Sequence, residues 1–137
     1  MYRVKVIVLV LILCMVSIGA ERGEPHQEEI NFSEAGFTQM YTTAYIIHGT
    51  TATGGETRPG ICACNPHLGE VAIVYTLDGQ YLGMYECTDT GITDGLKNGT
   101  VIDIWRANMT QAENYMRITS QNGQSSRVWV RWIRGNG

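Results

Sequence analysis

The chain has 137 residues, with 10 Lys and Arg against 13 Asp and Glu for a formal charge of −3, which is enough for one compact domain and too short for two ordinary ones. A hydrophobic content of 44% and a charged content of 17% exclude a disordered or fibrous chain, and 16 Gly against 3 Pro point to many tight turns between short strands. The acidity argues against a nucleic-acid partner, which asks for clustered Lys and Arg; Arg127, Arg131 and Arg134 are the one basic cluster and read as solvated charges flanking a strand.

Residues 1–20 read as a secretory signal. Arg3 and Lys5 form a basic start, Val6 to Val16 is an unbroken apolar run, and Ser17-Ile18-Gly19-Ala20 offers small residues for cleavage. The run is shorter than the roughly 17–25 apolar residues of a membrane-spanning helix, so cleavage is expected, with a retained N-terminal anchor as the alternative. Cys14 lacks the small residues before it that lipid attachment needs. Cleavage after Ala20 removes two basic and no acidic residues, leaving 8 against 13, or −5. The protein is thus expected outside the cytoplasm, secreted or associated with the cell wall, touching a membrane only through an uncleaved N-terminal segment.

Residues 21–39 follow as an acidic, flexible spacer. Glu21, Glu24, Glu28, Glu29 and Glu34 face a single Arg and no aromatic precedes Phe32, too little apolar surface to fold alone. The domain proper is expected over 40–137. Met40 to Ile47 is rich in aromatic and β-branched residues and reads as its first strand. Val71–Leu77 and Tyr81–Thr88 flank Asp78-Gly79, a pair suited to a two-residue type I′ hairpin turn. Val101–Trp105 and Arg127–Ile133 complete the strands, with Asn98-Gly99 and Asn122-Gly123 as turn signals. Thr110-Gln111-Ala112-Glu113 reads as a capping box opening a short helix to about Ile118. Five or six strands and one brief helix make a small all-β barrel or sandwich.

In an oxidising compartment Cys87 can bridge to Cys62 or Cys64, or all three can be small buried residues. The Cys-x-Cys pair with a lone Cys does not match four-ligand zinc patterns, and His26, His48 and His67 are scattered, so no metal site is expected.

Three segments depart from ordinary packing patterns. Thr43-Ala44-Tyr45 runs into the Gly/Thr-rich stretch Gly49 to Gly55, where glycines let a backbone pass close to a neighbour and hydroxyls offer small polar contacts. Thr88-Asp89-Thr90-Gly91 ends a strand. In Ile102-Asp103-Ile104-Trp105 strand alternation turns the two isoleucines one way and Asp103 with Trp105 the other. Burial of Asp103 would favour its neutral form, as a general acid requires; the competing role is to hold the fold by accepting loop hydrogen bonds.

Taken together, Thr43-Ala44-Tyr45, Thr51-Ala52-x-Gly54, Cys64-Asn65-Pro66-x-x-Gly69, Asp89-Thr90-Gly91 and Ile102-Asp103-Ile104-Trp105 fall in the order seen in the three-aspartate ("3D") domain. That domain is similar to the catalytic part of membrane-bound lytic transglycosylase A and of related Gram-positive cell-wall proteins. The resemblance spans about Tyr41 to Ile133. It implies a six-stranded double-psi β-barrel with one or two short helices, acting on peptidoglycan glycan strands as a monomer without a cofactor.

By the same resemblance Asp103 is the single catalytic acid and base, Asp89 supports it and shapes the groove, and Thr51 lies near the substrate. Tyr45, Thr43, Asn65 and Trp105 complete the expected substrate-binding set. Asn65 stands where the family has its first aspartate, and an amide keeps hydrogen bonds but not charge. The loop Ile92–Thr100 is a few residues longer than in the tightest members. The implied activity is lytic transglycosylation giving 1,6-anhydro-muramic ends. The alternative is an expansin-like barrel that binds or loosens polysaccharide without turnover.

Overall fold

In strands β1 (Thr38–Tyr45), β3 (Val71–Thr76), β5 (Val101–Trp105) and β6 (Arg127–Ile133) more exposed and buried residues alternate, each strand sending one set of side chains inward. Met40 and Thr42, Ala72 and Val74, Ile102 and Ile104, and Val128 and Val130 make up the buried set. The computed structural model, which describes residues 28–120 and 123–136, closes these strands with β2 (Ile61–Ala63) and β4 (Tyr81–Asp89) into one barrel in the order β1-β5-β2-β4-β3-β6. The pairs β1/β5 and β2/β4 are parallel and the others antiparallel. This is the expected six-stranded all-β barrel, and its interleaved order requires crossing connections. The expected signal segment, residues 1–20, and residues 21–27 lie outside the described residues.

Three local expectations change. Ile61-Cys62-Ala63 is a strand that sequence alternation did not reveal, because all three residues are buried between β4 and β5. The β3–β4 turn is a three-residue loop, Leu77-Asp78-Gly79, closed by Thr76 N–H to the Gln80 carbonyl at 2.9 Å, with Gly79 at φ 94°. A left-handed glycine after the two central residues gives the longer bulged hairpin in place of a type I′ turn. The long helix α2 (Met109–Thr119) is capped by Asn108, not Thr110: its side chain accepts the Gln111 N–H at 2.9 Å, and the Gln111 side chain accepts the Ala107 N–H at 3.2 Å. A one-turn helix, α1 (Asp94–Lys97), occupies the loop after β4.

The core lies inside the barrel, and α2 closes one end. Its Tyr115 is 1% exposed and its hydroxyl meets Thr42 Oγ1 at 2.6 Å, while Thr42 also donates to the Ile102 carbonyl at 3.1 Å. Cys64 and Cys87 form a disulfide between the ends of β2 and β4 with Cα atoms 5.8 Å apart, and Cys62 is a free, buried thiol.

The segment before β1 is partly ordered onto the barrel. Phe32 stacks on Trp129 at 5.5 Å and contacts Phe37 and Tyr75, so a single aromatic anchors a turn that its acidic neighbours could not. β1 begins at Thr38, two residues ahead of the expected domain start. No described helix is long and apolar enough to cross a membrane.

Candidate active site

Because Ile102 and Ile104 fill the barrel, Asp103 must face out of the wall, and the register shows what stands beside it. Thr43 of β1 pairs with Asp103, Asp103 pairs with Ala63 of β2, and Ala63 pairs with Asp89 of β4. The four residues form one row across four adjacent strands. Two strand spacings put the Asp103 and Asp89 backbones about 10 Å apart, with only the methyl of Ala63 between them. Tyr45, two residues beyond Thr43, leans over the same face.

Two loops wall this row into an open cleft of about 310 Å³. One is the Gly/Thr stretch, held by Thr51 N–H to the Gly55 carbonyl at 2.7 Å and a bridge between Thr50 and Glu56. Its tip is tied to β4: Ala52 N–H donates to Asp89 Oδ1 at 3.2 Å, and Thr53 N–H to the Thr88 carbonyl at 3.1 Å. The other wall is Thr90 to Leu96. Gly91 leaves room there for Leu96 of α1, the residue that backs the cleft: a Cβ on it would push the Leu96 side chain aside. Ile47 and Ile92 rim the opening, 72% and 89% exposed.

Asp103 is held in an unusual state. Burial pushes its pKa from 3.8 up to about 6; a hydrogen bond from Thr43 works against the rise, and the charge of Asp89 adds to it. Its Oδ1 is buried without a protein hydrogen-bond partner, as is the hydroxyl of Tyr45. Burial, followed by the charges of Asp89, Asp103 and Cys62, also holds the Tyr45 phenol well above its usual range. Burial pushes the Cys62 thiol up to about 12, with Asp103 and Glu86 contributing. Asp89 Oδ1 accepts two backbone N–H groups, from Ala52 and from Thr90 at 3.0 Å, and so clamps both loops.

Of the expected site residues, Asp103, Asp89 and Tyr45 line the cleft and Thr43 adjoins Asp103. Three others are used elsewhere. Thr51 is buried, with its hydroxyl on Thr53 at 3.2 Å, and its neighbour Thr50 takes the cleft position. Asn65 ties two loops together, donating to the Lys97 carbonyl at 2.7 Å and accepting the His67 N–H at 2.9 Å. Trp105 is buried with its indole N–H on the Ile47 carbonyl at 2.9 Å.

Sequence reasoning missed Ile47, Ile92, Thr57 and Leu96 as cleft residues; only Leu96, the one large apolar residue amid a polar turn, carried a usable signal. Two carboxylates on neighbouring segments do not line the cleft: Glu86 pairs with Arg58 at 2.6 Å and Asp94 lies on the first turn of α1. Among the described residues no group of three or more His, Cys, Asp or Glu is placed to hold a metal ion.

Comparison with protein-family models, with curated proteins and with solved structures finds no match to this chain.

Proposed function

We propose that the protein is an exported enzyme that cleaves peptidoglycan glycan strands in the manner of a lytic transglycosylase, with Asp103 as the only proton carrier. The observation that carries this reading is a carboxyl group with a pKa of about 6 at the floor of an open cleft. An ordinary surface aspartate could not hold a proton near neutral pH.

Asp103 Oδ1 faces inward, so the outer oxygen meets substrate. The protonated carboxyl gives its proton to the glycosidic oxygen between N-acetylmuramic acid and N-acetylglucosamine. As the anomeric bond breaks, the muramic C6 hydroxyl attacks the anomeric carbon and passes its proton to the Asp103 carboxylate. The product is a 1,6-anhydro ring, and the acid is restored without water. Asp89 contributes charge and holds the walls.

The Cys64–Cys87 disulfide supports an extracytoplasmic location. Incubation of purified peptidoglycan with wild type and Asp103→Asn, followed by mass spectrometry of the muropeptides, tests the reading: anhydro ends are expected from wild type alone. An inactive wild type that still binds glycan would favour the non-catalytic, polysaccharide-binding alternative.

A further inference from the structure

The cleft is anionic and carries no counter-charge. Asp89 and Asp103 stand on its floor, and among the described residues no Lys, Arg or His lines it. Arg58, which follows the lining residue Thr57, is paired with Glu86 at 2.6 Å. The remaining surface is uncharged: threonines, glycines, Tyr45, Ala63, Leu96 and the exposed side chains of Ile47 and Ile92.

We infer that this cleft selects muramic residues whose lactyl carboxyl is capped as an amide by a peptide stem and rejects those whose lactyl carboxylate is free. The inference rests on the glycan-cleaving reading above. The lactyl group is carried on the same ring as the anomeric carbon that Asp103 must serve, so it enters the cleft whenever that bond is aligned. A free lactyl carboxylate would lose water beside the Asp89 carboxylate, and beside Asp103 whenever that group is ionised, with no cation in the cleft to receive it, and juxtaposed like charges weaken binding and exclude the wrong partner. Converted to an amide, the same group is neutral. Its methyl group and that of the first stem residue can then lie against Ile47 and Ile92, whose exposure is otherwise uncompensated. Later stem carboxylates extend beyond the rim into solvent.

Two synthetic disaccharides of N-acetylglucosamine and N-acetylmuramic acid, one with the free lactyl acid and one with its neutral methylamide, provide the test by calorimetry at pH 7. The methylamide is expected to bind about tenfold more tightly, with the gap narrowing as salt is raised. Thr93→Lys places a cation on the cleft wall at a position whose side chain caps no helix N–H, and it should raise affinity for the free acid far more than for the methylamide, closing the gap between the two ligands. Equal affinity for the two ligands in wild type, or no binding of either, overturns the inference, as does a Thr93→Lys variant that folds yet still rejects the free acid. Peptidoglycan turnover is measured alongside. Selective binding without turnover keeps the selectivity and removes the cleaving enzyme; turnover of stem-free strands as fast as stem-bearing ones does the reverse.

Discussion

Asp103 and Asp89 occupy the same row of the barrel wall, one on each side of Ala63. Their environments differ. Asp103 has a buried oxygen with no partner, whereas Asp89 has an oxygen shared by two backbone N–H groups. The first is arranged to carry a proton and the second to stay in place.

That difference makes Asp103 a liability for stability. With the folded pKa at about 6 against 3.8, the native state binds more protons than the unfolded chain between those values, so stability falls as pH rises from about 4 to about 6 and is level above. The full shift would be worth about 3 kcal/mol in a wholly buried group, and solvent screening of this partly exposed one lowers that to about 1–2 kcal/mol. Asp103→Asn should therefore stabilise the domain by about 1–2 kcal/mol at pH 7 and have little effect at pH 4. Denaturant unfolding at the two pH values checks this, and an Asn variant less stable at pH 7 would mean that the carboxylate holds the fold.

Asp89 should behave in the opposite way. Asp89→Ala leaves the Ala52 and Thr90 N–H groups without their acceptor, at a cost of about 1–3 kcal/mol, and frees both cleft walls. Asp89→Asn retains an acceptor oxygen, so it should keep most of the stability and lose less turnover than Asp103→Asn. Thermal unfolding of the Ala and Asn variants side by side, with turnover of each, is the measurement; equal destabilisation by both would remove the clamp role.

Tyr45 lines the cleft with its hydroxyl buried and without a protein partner, so under the proposed function its ring is what meets substrate. Tyr45→Phe should leave KM unchanged and stability the same or higher by about 1 kcal/mol, since no hydrogen bond is lost. Tyr45→Ala should raise KM. A large rise in KM for the Phe variant would show that the hydroxyl turns outward to bind glycan.

The Cys64–Cys87 bridge spans 23 positions, a loop whose closure stabilises by about 3 kcal/mol in the chain-entropy account. Replacing both cysteines with alanine should cost about that much in chemical denaturation. Cys62, buried and 0% exposed, should resist thiol reagents until the domain unfolds; labelling of the native protein at Cys62 would contradict its placement.

The strands β1, β3, β5 and β6 alternate in burial along a half-buried wall, β4 was legible from its aromatic and β-branched residues after the Asp78-Gly79 turn, and Asp103 was legible because it is an acid within an otherwise apolar strand. β2 was not: Ile61-Cys62-Ala63 has no exposed face to produce a period. The helix cap was displaced for a similar reason, since Thr110 and Asn108 both offer an oxygen and only the path of the chain after Trp105 decides between them. Thr51, Asn65 and Trp105 carry polar groups that suit a glycan equally well on paper. In the fold those groups are spent on Thr53, Lys97 and His67, and Ile47. Ile92 could not be found from sequence, because an exposed isoleucine in a loop has no pattern.

The central claim is that one carboxyl group and the sugar's own C6 hydroxyl suffice, with no water at the anomeric carbon. Digestion of peptidoglycan in ¹⁸O-labelled water, read by mass spectrometry of the new ends, tests it most directly. The account predicts 1,6-anhydro-muramic ends without label from wild type and no product from Asp103→Asn. Reducing ends carrying one labelled oxygen would contradict it and make Asp89, across Ala63, the water-activating base of a two-carboxylate hydrolase.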